Sequence, residues 1–230
     1  MRINHTATYH RTRTPRRWYL AIRDQLLVAL RTEMPQLNKL ECHLPSSFGS
    51  KHATEAVFSP NLRSLSVDIW VQLQLTSQYA SAFEQAQAYT RQMEEDLLEC
   101  VKQFSRIPSL ETLVMHLKSK APVMHLCQPR RFAPLVECRS LSSLTIRGNL
   151  VDYFEGRQEI RAVIIETCRS ISTLTHINLF DGEWSVNSLQ ALTAGSTPLL
   201  LKRINLKETL LDETNAPFLS RLSSLTELAP

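Results

Sequence analysis

Glycine is nearly absent from this chain: there are five in 230 residues, and the closest two are Gly148 and Gly156. A loop that cradles phosphate needs several glycines within a few positions, so that backbone amides can approach the anion without a Cβ in the way; that kind of nucleotide site is excluded. The patterns Gly-x-Ser-x-Gly and His-Glu-x-x-His are missing as well, which removes the commonest sequence signs of a nucleophile elbow and of a zinc protease. The five cysteines, Cys42, Cys100, Cys127, Cys138 and Cys168, are odd in number and contain no Cys-x-x-Cys pair. That pattern suits neither a disulfide framework nor a zinc ribbon and reads as reduced core thiols.

No apolar run reaches the roughly 18 residues that a bilayer requires, so no membrane span is expected. The start also lacks the short apolar core of a secretory signal, which places the chain inside the cell, cytoplasmic or nuclear. Acid is missing from one stretch in particular. Residues 1–23 carry six arginines (Arg2, Arg11, Arg13, Arg16, Arg17 and Arg23) and no Asp or Glu. Taking those six from the 26 basic residues leaves 20 against 22 acids, so the formal charge of +4 belongs to the tail and not to the body. An acid-free basic start is also compatible with mitochondrial import, the lesser alternative for location.

What the chain does have is a recurring leucine pattern. Leu141-x-x-Leu144-x-Ile146-x-x-Asn149-x-Val151 reads as the strand-and-turn half of a leucine-rich repeat. The same spacing begins at Leu37, Leu62, Leu110, Leu174, Leu201 and Leu225, giving seven motifs. Their first leucines are 25, 48, 31, 33, 27 and 24 residues apart, which fits repeats of about 20–29 residues with insertions. Prolines at Pro35, Pro60, Pro108 and Pro198 precede four of the motifs and mark where a returning helix gives way to the next strand. Helical spacing in the gaps places one long helix through Phe83, Ala86, Met93, Leu97, Val101 and Phe104. A second runs through Ile160, Val163, Ile164, Cys168 and Ile171, and a third through Val186, Leu189 and Leu192, ending at Gly195. Glu94, Glu95 and Asp96 read as the solvated face of the first.

The expected fold is therefore α/β: an irregular leucine-rich-repeat solenoid, a curved parallel sheet with helices on its convex face. Residues 1–14 are expected to be a disordered basic arm. Residues 15–35 form an N-terminal capping helix, opened by Thr14 as N-cap with Pro15 in its first position, and residues 36–230 hold about seven irregular repeats. Only one repeat keeps asparagine at the turn, so no asparagine ladder is expected along the coil. The last motif stops at Pro230 without a capping helix, which predicts self-association or a partner at that C-terminal edge.

Phrases such as Phe58-Ser-Pro-Asn-Leu-Arg-Ser-Leu65 and Ile107-Pro-Ser-Leu-Glu-Thr-Leu113 resemble the divergent leucine-rich-repeat region of F-box-type proteins, over about residues 35–230. The resemblance implies a substrate-recognition arm of a cullin-type ubiquitin ligase. The F-box itself is not evident: its usual Leu-Pro opening has no counterpart in Arg16-Arg-Trp-Tyr-Leu-Ala-Ile22.

The expected function is a non-catalytic scaffold for protein–protein interaction, with no cofactor and no metal. If motif positions one, four and six point inward, positions five and seven point to the concave face. There the pairs are Glu41 and His43, Ser66 and Asp68, Val114 and His116, Thr145 and Arg147, Asn178 and Phe180, then Asn205 and Lys207. His43, Asp68, His116, Arg147, Phe180 and Lys207 are the candidate protein-binding residues, because aromatic, arginine and histidine side chains make good anchors. His125-x-Cys127 with Cys138 and His116 is the best metal candidate, but its spacing matches no common zinc site and it reads as packing. Two further function classes remain. One is contact with nucleic acid through the arginine-rich arm, although no aromatic-interleaved basic surface continues into the repeats. The other is an enzyme on an unrecognised α/β fold.

Overall fold

A computed structural model describes residues 36–45, 58–71, 95–119, 132–148, 164–179, 186–194, 200–205, 213 and 216–229. Each of the seven leucine motifs opens or contains a strand. They are β1 (Lys39–Pro45), β2 (Ser64–Val71), β3 (Thr112–Ser119), β4 (Ser143–Gly148), β5 (His176–Leu179), β6 (Arg203–Asn205) and β7 (Glu227–Ala229). All pairings are parallel, and the strand order in the sheet is the order in the sequence. The expected α/β class with one parallel sheet is therefore what the chain adopts.

The register aligns the motifs residue for residue. Leu40, Leu65, Leu113, Leu144, Ile177, Ile204 and Leu228 are successive cross-strand partners. From Leu40 to Ile204 every member of this row is buried. The position-six row of Val67, Met115, Ile146 and Leu179 is buried with it, while Cys42 at its start is half-buried. Branched and long apolar side chains on one side of a pleated strand can be covered only by neighbouring strands and by elements on that side. Burying each contributes about 1.5–3 kcal/mol.

Helices supply the cover. The described helices are α1 (residues 95–105), α2 (residues 164–169), α3 (Val186–Thr193) and the short α4 (Ala216–Leu219), with a 3-10 turn at Ala133–Glu137. Leu97, Cys100, Val101 and Phe104 from α1 belong to the same buried cluster as the strand leucines. So do Ile164, Ile165 and Cys168 from α2 and Leu189 and Leu192 from α3. Phe58, just before β2, meets Phe104 with ring centroids 6.0 Å apart and tilted by 54°. Positions three, five and seven of the strands lie outside this cluster and range from half-buried to exposed, so the sheet has one covered face and one polar face.

The chain approaches β3, β4, β5 and β7 through three-residue turns. The N–H of Leu110 donates to the Ile107 carbonyl, and the N–H of Ile107 donates to Phe104; the same step occurs at Leu141, Cys138 and Leu135, and at Leu174, Ile171 and Cys168. Leu225, Leu222 and Leu219 repeat it. At the start of each strand one carbonyl accepts two successive N–H groups of the next strand. Asn38 serves Arg63 and Ser64 at 2.8 and 2.9 Å, and Arg63, Glu111, Ser142, Thr175 and Lys202 do the same in turn. These backbone N–H groups are thereby matched to the neighbouring strand.

Two expectations are corrected in detail. Ile171 lies beyond the end of α2 and is buried in the turn, where it carries the three-residue spacing and not a helical one. Asp96 is 6% exposed, so the acidic cluster is not merely a solvated face; among the described residues of α1 the buried side holds Asp96, Leu97, Cys100, Val101, Gln103 and Phe104, while Glu95 is exposed. The N-terminal arm, the capping helix, Asn149, residues 83–93, Gly195, His125 and Cys127 lie outside the described residues. No described helix is long and apolar enough to cross a membrane.

Leu144 sits in the middle of the central leucine row. Leu144→Ala is expected to cost about 2–5 kcal/mol through lost burial and an unfilled cavity. A loss below about 1 kcal/mol in denaturant melts contradicts that packing role.

Cys100, Cys138 and Cys168 are buried free thiols and Cys42 is half-buried. Burial, helped by the neighbouring Glu137 charge, pushes the Cys138 thiol from 9.0 up to about 12. Burial does the same to Cys168, to about 12, against a smaller lowering by a backbone hydrogen bond. A raised value means that the folded chain holds these protons after an unfolded chain has begun to release them. Their contribution to stability is intact below pH 9.0 and is lost as pH rises towards about 12. At pH 8 a thiol reagent should modify Cys138 and Cys168 only after denaturant is added; rapid labelling of either in the native chain contradicts their burial.

Candidate functional site

The polar face is where chemistry collects, and strand register decides which residues meet. His43 on β1 is the partner of Asp68 on β2, Asp68 of His116 on β3, and His116 of Arg147 on β4. Side chains two residues apart share a face, so all four belong to the same row, about 4.8 Å per step. Four of the six candidate residues, separated by up to 104 positions in the sequence (147 minus 43), are thus neighbours. Phe180 and Lys207 lie outside the described residues.

Asp68 links two of its neighbours directly. His43 Nδ1 lies 2.8 Å from Asp68 Oδ2, and His116 Nδ1 lies 3.1 Å from Asp68 Oδ1. An ionised carboxylate only accepts hydrogen bonds, so both Nδ1 atoms are the donors and each oxygen holds one imidazole. The side chains are 46%, 14% and 29% exposed for His43, Asp68 and His116. The carboxylate is therefore recessed between two rings that reach further out, and Arg147 beside them is exposed. Among the described residues His116 Nε2 is buried without a hydrogen-bond partner, as is Asn178 Oδ1.

The rows closer to the strand starts are quieter. Ser66, Val114, Thr145 and Asn178 are half-buried at position five, with exposed Glu41 on the outer strand. Ion pairs flank the sheet at its beginning and its end: Arg63 to Glu111 at 3.2 Å and Arg203 to Glu227 at 3.3 Å. Thr175 Oγ1 and His176 Nδ1 are 2.7 Å apart.

The carboxylate with two imidazoles can orient the rings and fix their tautomers, and it can pass a proton between them. Acid–base catalysis also needs a substrate held in a recess within reach of the base. The described cavity of about 340 Å³ is lined by Gln36, Asn38, Asn61, Arg63 and Ser109, at the starts of the first three strands, and includes neither histidine. No group of three or more His, Cys, Asp or Glu among the described residues has the arrangement to hold a metal ion. Cys138 and His116 do not form the metal pair that the sequence offered: the thiol lies near the Phe104 carbonyl at 4.0 Å, and the imidazole is held by Asp68.

Two features escaped the sequence reading. The cavity at the strand starts is built from polar residues in three separate turns, with no motif joining them. The inward three-residue spacing before each motif was visible in Phe104, Ile107 and Leu110 or in Leu135, Cys138 and Leu141, but it falls between helical and strand periods and matches neither template. No family model and no curated protein matches this chain.

Asp68 sets the tautomers. In nitrogen-resolved NMR spectra His43 and His116 should each carry the neutral-state proton on Nδ1, and Asp68→Ala should return both to the Nε2–H form that free imidazole prefers. Nε2–H signals for both rings in the unaltered protein contradict the shared carboxylate.

Proposed function

We propose that the chain is an irregular leucine-rich-repeat solenoid that works as a non-catalytic scaffold for protein–protein interaction, and that the polar sheet face is its docking surface. The observation that carries the reading is the row His43, Asp68, His116 and Arg147, set in register on four adjacent strands. Regular stacking of motifs in sequence order, with each strand start tied to the next by a shared carbonyl, supports the solenoid part of the reading. A rigid sheet holds its side chains in place before a partner arrives, which lowers the ordering cost of binding. An exposed arginine beside partly buried imidazoles combines the charge and apolar surface common at interface anchors.

The resemblance to F-box-type proteins extends this proposal to a substrate-recognition arm of a ubiquitin ligase. In that reading the sheet face takes the substrate.

The experiment compares proteins retained by the full chain with those retained by Asp68→Ala and Arg147→Ala, using Glu95→Ala on the opposite side of the molecule as the control. For a partner so identified, each face variant is expected to weaken binding by more than about 1 kcal/mol, and the helix variant to leave it unchanged, as measured by calorimetry. A partner lost with Glu95→Ala and kept by both face variants places docking on the helices and defeats the proposal.

A further inference from the structure

Among the described residues the basic side chains are not spread evenly. Ten Lys and Arg side chains and ten Asp and Glu side chains are described, a balanced set. Eight of the ten bases lie at the edge of the sheet where the strands begin, on the last helical residue before a strand, in the turns that lead into the strands or on their first residues, against three acids there: Glu111, Glu137 and Glu227. The remaining seven acids lie on the helices, on the polar sheet face or before α4.

Four of these bases, Arg106, Arg139, Arg169 and Arg221, follow or end helical turns, where the carbonyl ends of the helices favour positive charge. That local effect accounts for their placement. It does not account for Lys39, Arg63, Lys202 and Arg203, which stand at the beginnings of strands, where the backbone offers no comparable dipole. The turns carrying the bases are neighbours in space. Ser140 Oγ donates to the Pro108 carbonyl at 3.0 Å, and Thr173 Oγ1 donates to the Leu141 carbonyl at 2.7 Å. The bases therefore form one belt along the edge, and all except half-buried Arg169 are exposed.

At the β1–β3 end the belt meets the cavity lined by Gln36, Asn38, Asn61, Arg63 and Ser109. One guanidinium, three carboxamides and a hydroxyl can all donate hydrogen bonds, which suits a carboxylate. The Arg63 guanidinium already engages Glu111 through one nitrogen at 3.2 Å, so carboxylate recognition at this position has a pattern within the chain itself.

We propose that this edge is a second docking surface, at the strand starts and separate from the row of His43, Asp68, His116 and Arg147, and that its occupant is an acidic stretch of another polypeptide. Charge complementarity calls for an anionic partner. Peptide is favoured over nucleic acid by two observations. Glu111, Glu137 and Glu227 interrupt the belt, which a continuous phosphate backbone would have to pass, whereas separate carboxylates along a peptide can fall between them. Among the described residues the edge also offers no open aromatic ring for stacking bases: Phe218 is half-buried and already lies beneath the Arg221 guanidinium, 5.9 Å from its ring centre.

The test uses the full chain, a fluorescein-labelled decapeptide of alternating Glu and Ser, and a length-matched oligothymidylate, followed by fluorescence anisotropy at low and high salt. Saturable binding of the peptide that weakens with salt is expected, because exposed charges are screened. The double reversal Arg139→Glu with Lys202→Glu should lower its affinity by about tenfold. Arg147→Glu, on the sheet face, should leave the peptide bound as before, which keeps this result independent of the sheet-face reading. All three positions are exposed, and unchanged circular dichroism of the variants establishes that they fold. Failure to bind the peptide at low salt overturns the proposal, as does an unaltered affinity in the double reversal or an equal loss in Arg147→Glu. Tighter binding of oligothymidylate than of peptide overturns the choice of occupant.

Discussion

One carbonyl at the start of each strand, from Asn38 to Lys202, accepts the N–H groups of two consecutive residues on the next strand. Everything else in the sheet depends on this repeated contact. In a parallel sheet each crossover must return the chain to the same edge, and the loops that do so here differ widely in length. A shared acceptor at the point of return fixes where each strand begins relative to its neighbour, whatever the loop did before. Hydroxyls reinforce several of these points: Ser142 Oγ reaches the Glu111 carbonyl at 3.1 Å, Thr175 Oγ1 the Ser142 carbonyl at 3.1 Å and Thr226 Oγ1 the Lys202 carbonyl at 3.2 Å. A slip of one residue would turn each leucine row to the polar side, so the cost of losing register is large.

From that register follows the surface. Because the rows are aligned, a side chain at position seven has its counterparts on both sides, and Asp68 can hold His43 and His116 at once. The same alignment gathers bases from separate turns along one edge. Two surfaces of different character result: a sheet face with a carboxylate gripped between imidazoles, and a belt of cations at the strand starts. They suit different partner chemistry, and a scaffold in the proposed sense could engage both at once.

Buried thiols and a buried carboxylate show how the covered face is completed. Cys100, Cys138 and Cys168 belong to the buried cluster with the strand leucines, where a free thiol behaves as a small apolar side chain. Asp96 and Gln103 enter the same side from α1, and both engage neighbours there. Such polar insertions cost stability unless their groups are bonded.

Much of the architecture was legible in one dimension. The Leu-x-x-Leu spacing located all seven strands, and the alternation of positions within each motif correctly assigned Leu65, Leu113, Leu144, Ile177 and Ile204 to the buried side. Period two in a strand is a local property, and burial of one face follows from it without knowledge of neighbours. The choice of His43, Asp68, His116 and Arg147 as residues of a common face came from the same alternation. That a single carboxylate holds both imidazoles did not, because it requires the pairing of three strands whose loops set no visible register. Asp96 was misread since a charge beside apolar residues in a helix looks solvent-facing until the helix is placed against the sheet. The cationic edge was hidden in a sequence whose body is nearly neutral. Composition and periodicity determined which residues alternate and which turn inward; only the stacking of strands, through contacts between residues far apart in the chain, decided which of the outward-facing ones stand side by side.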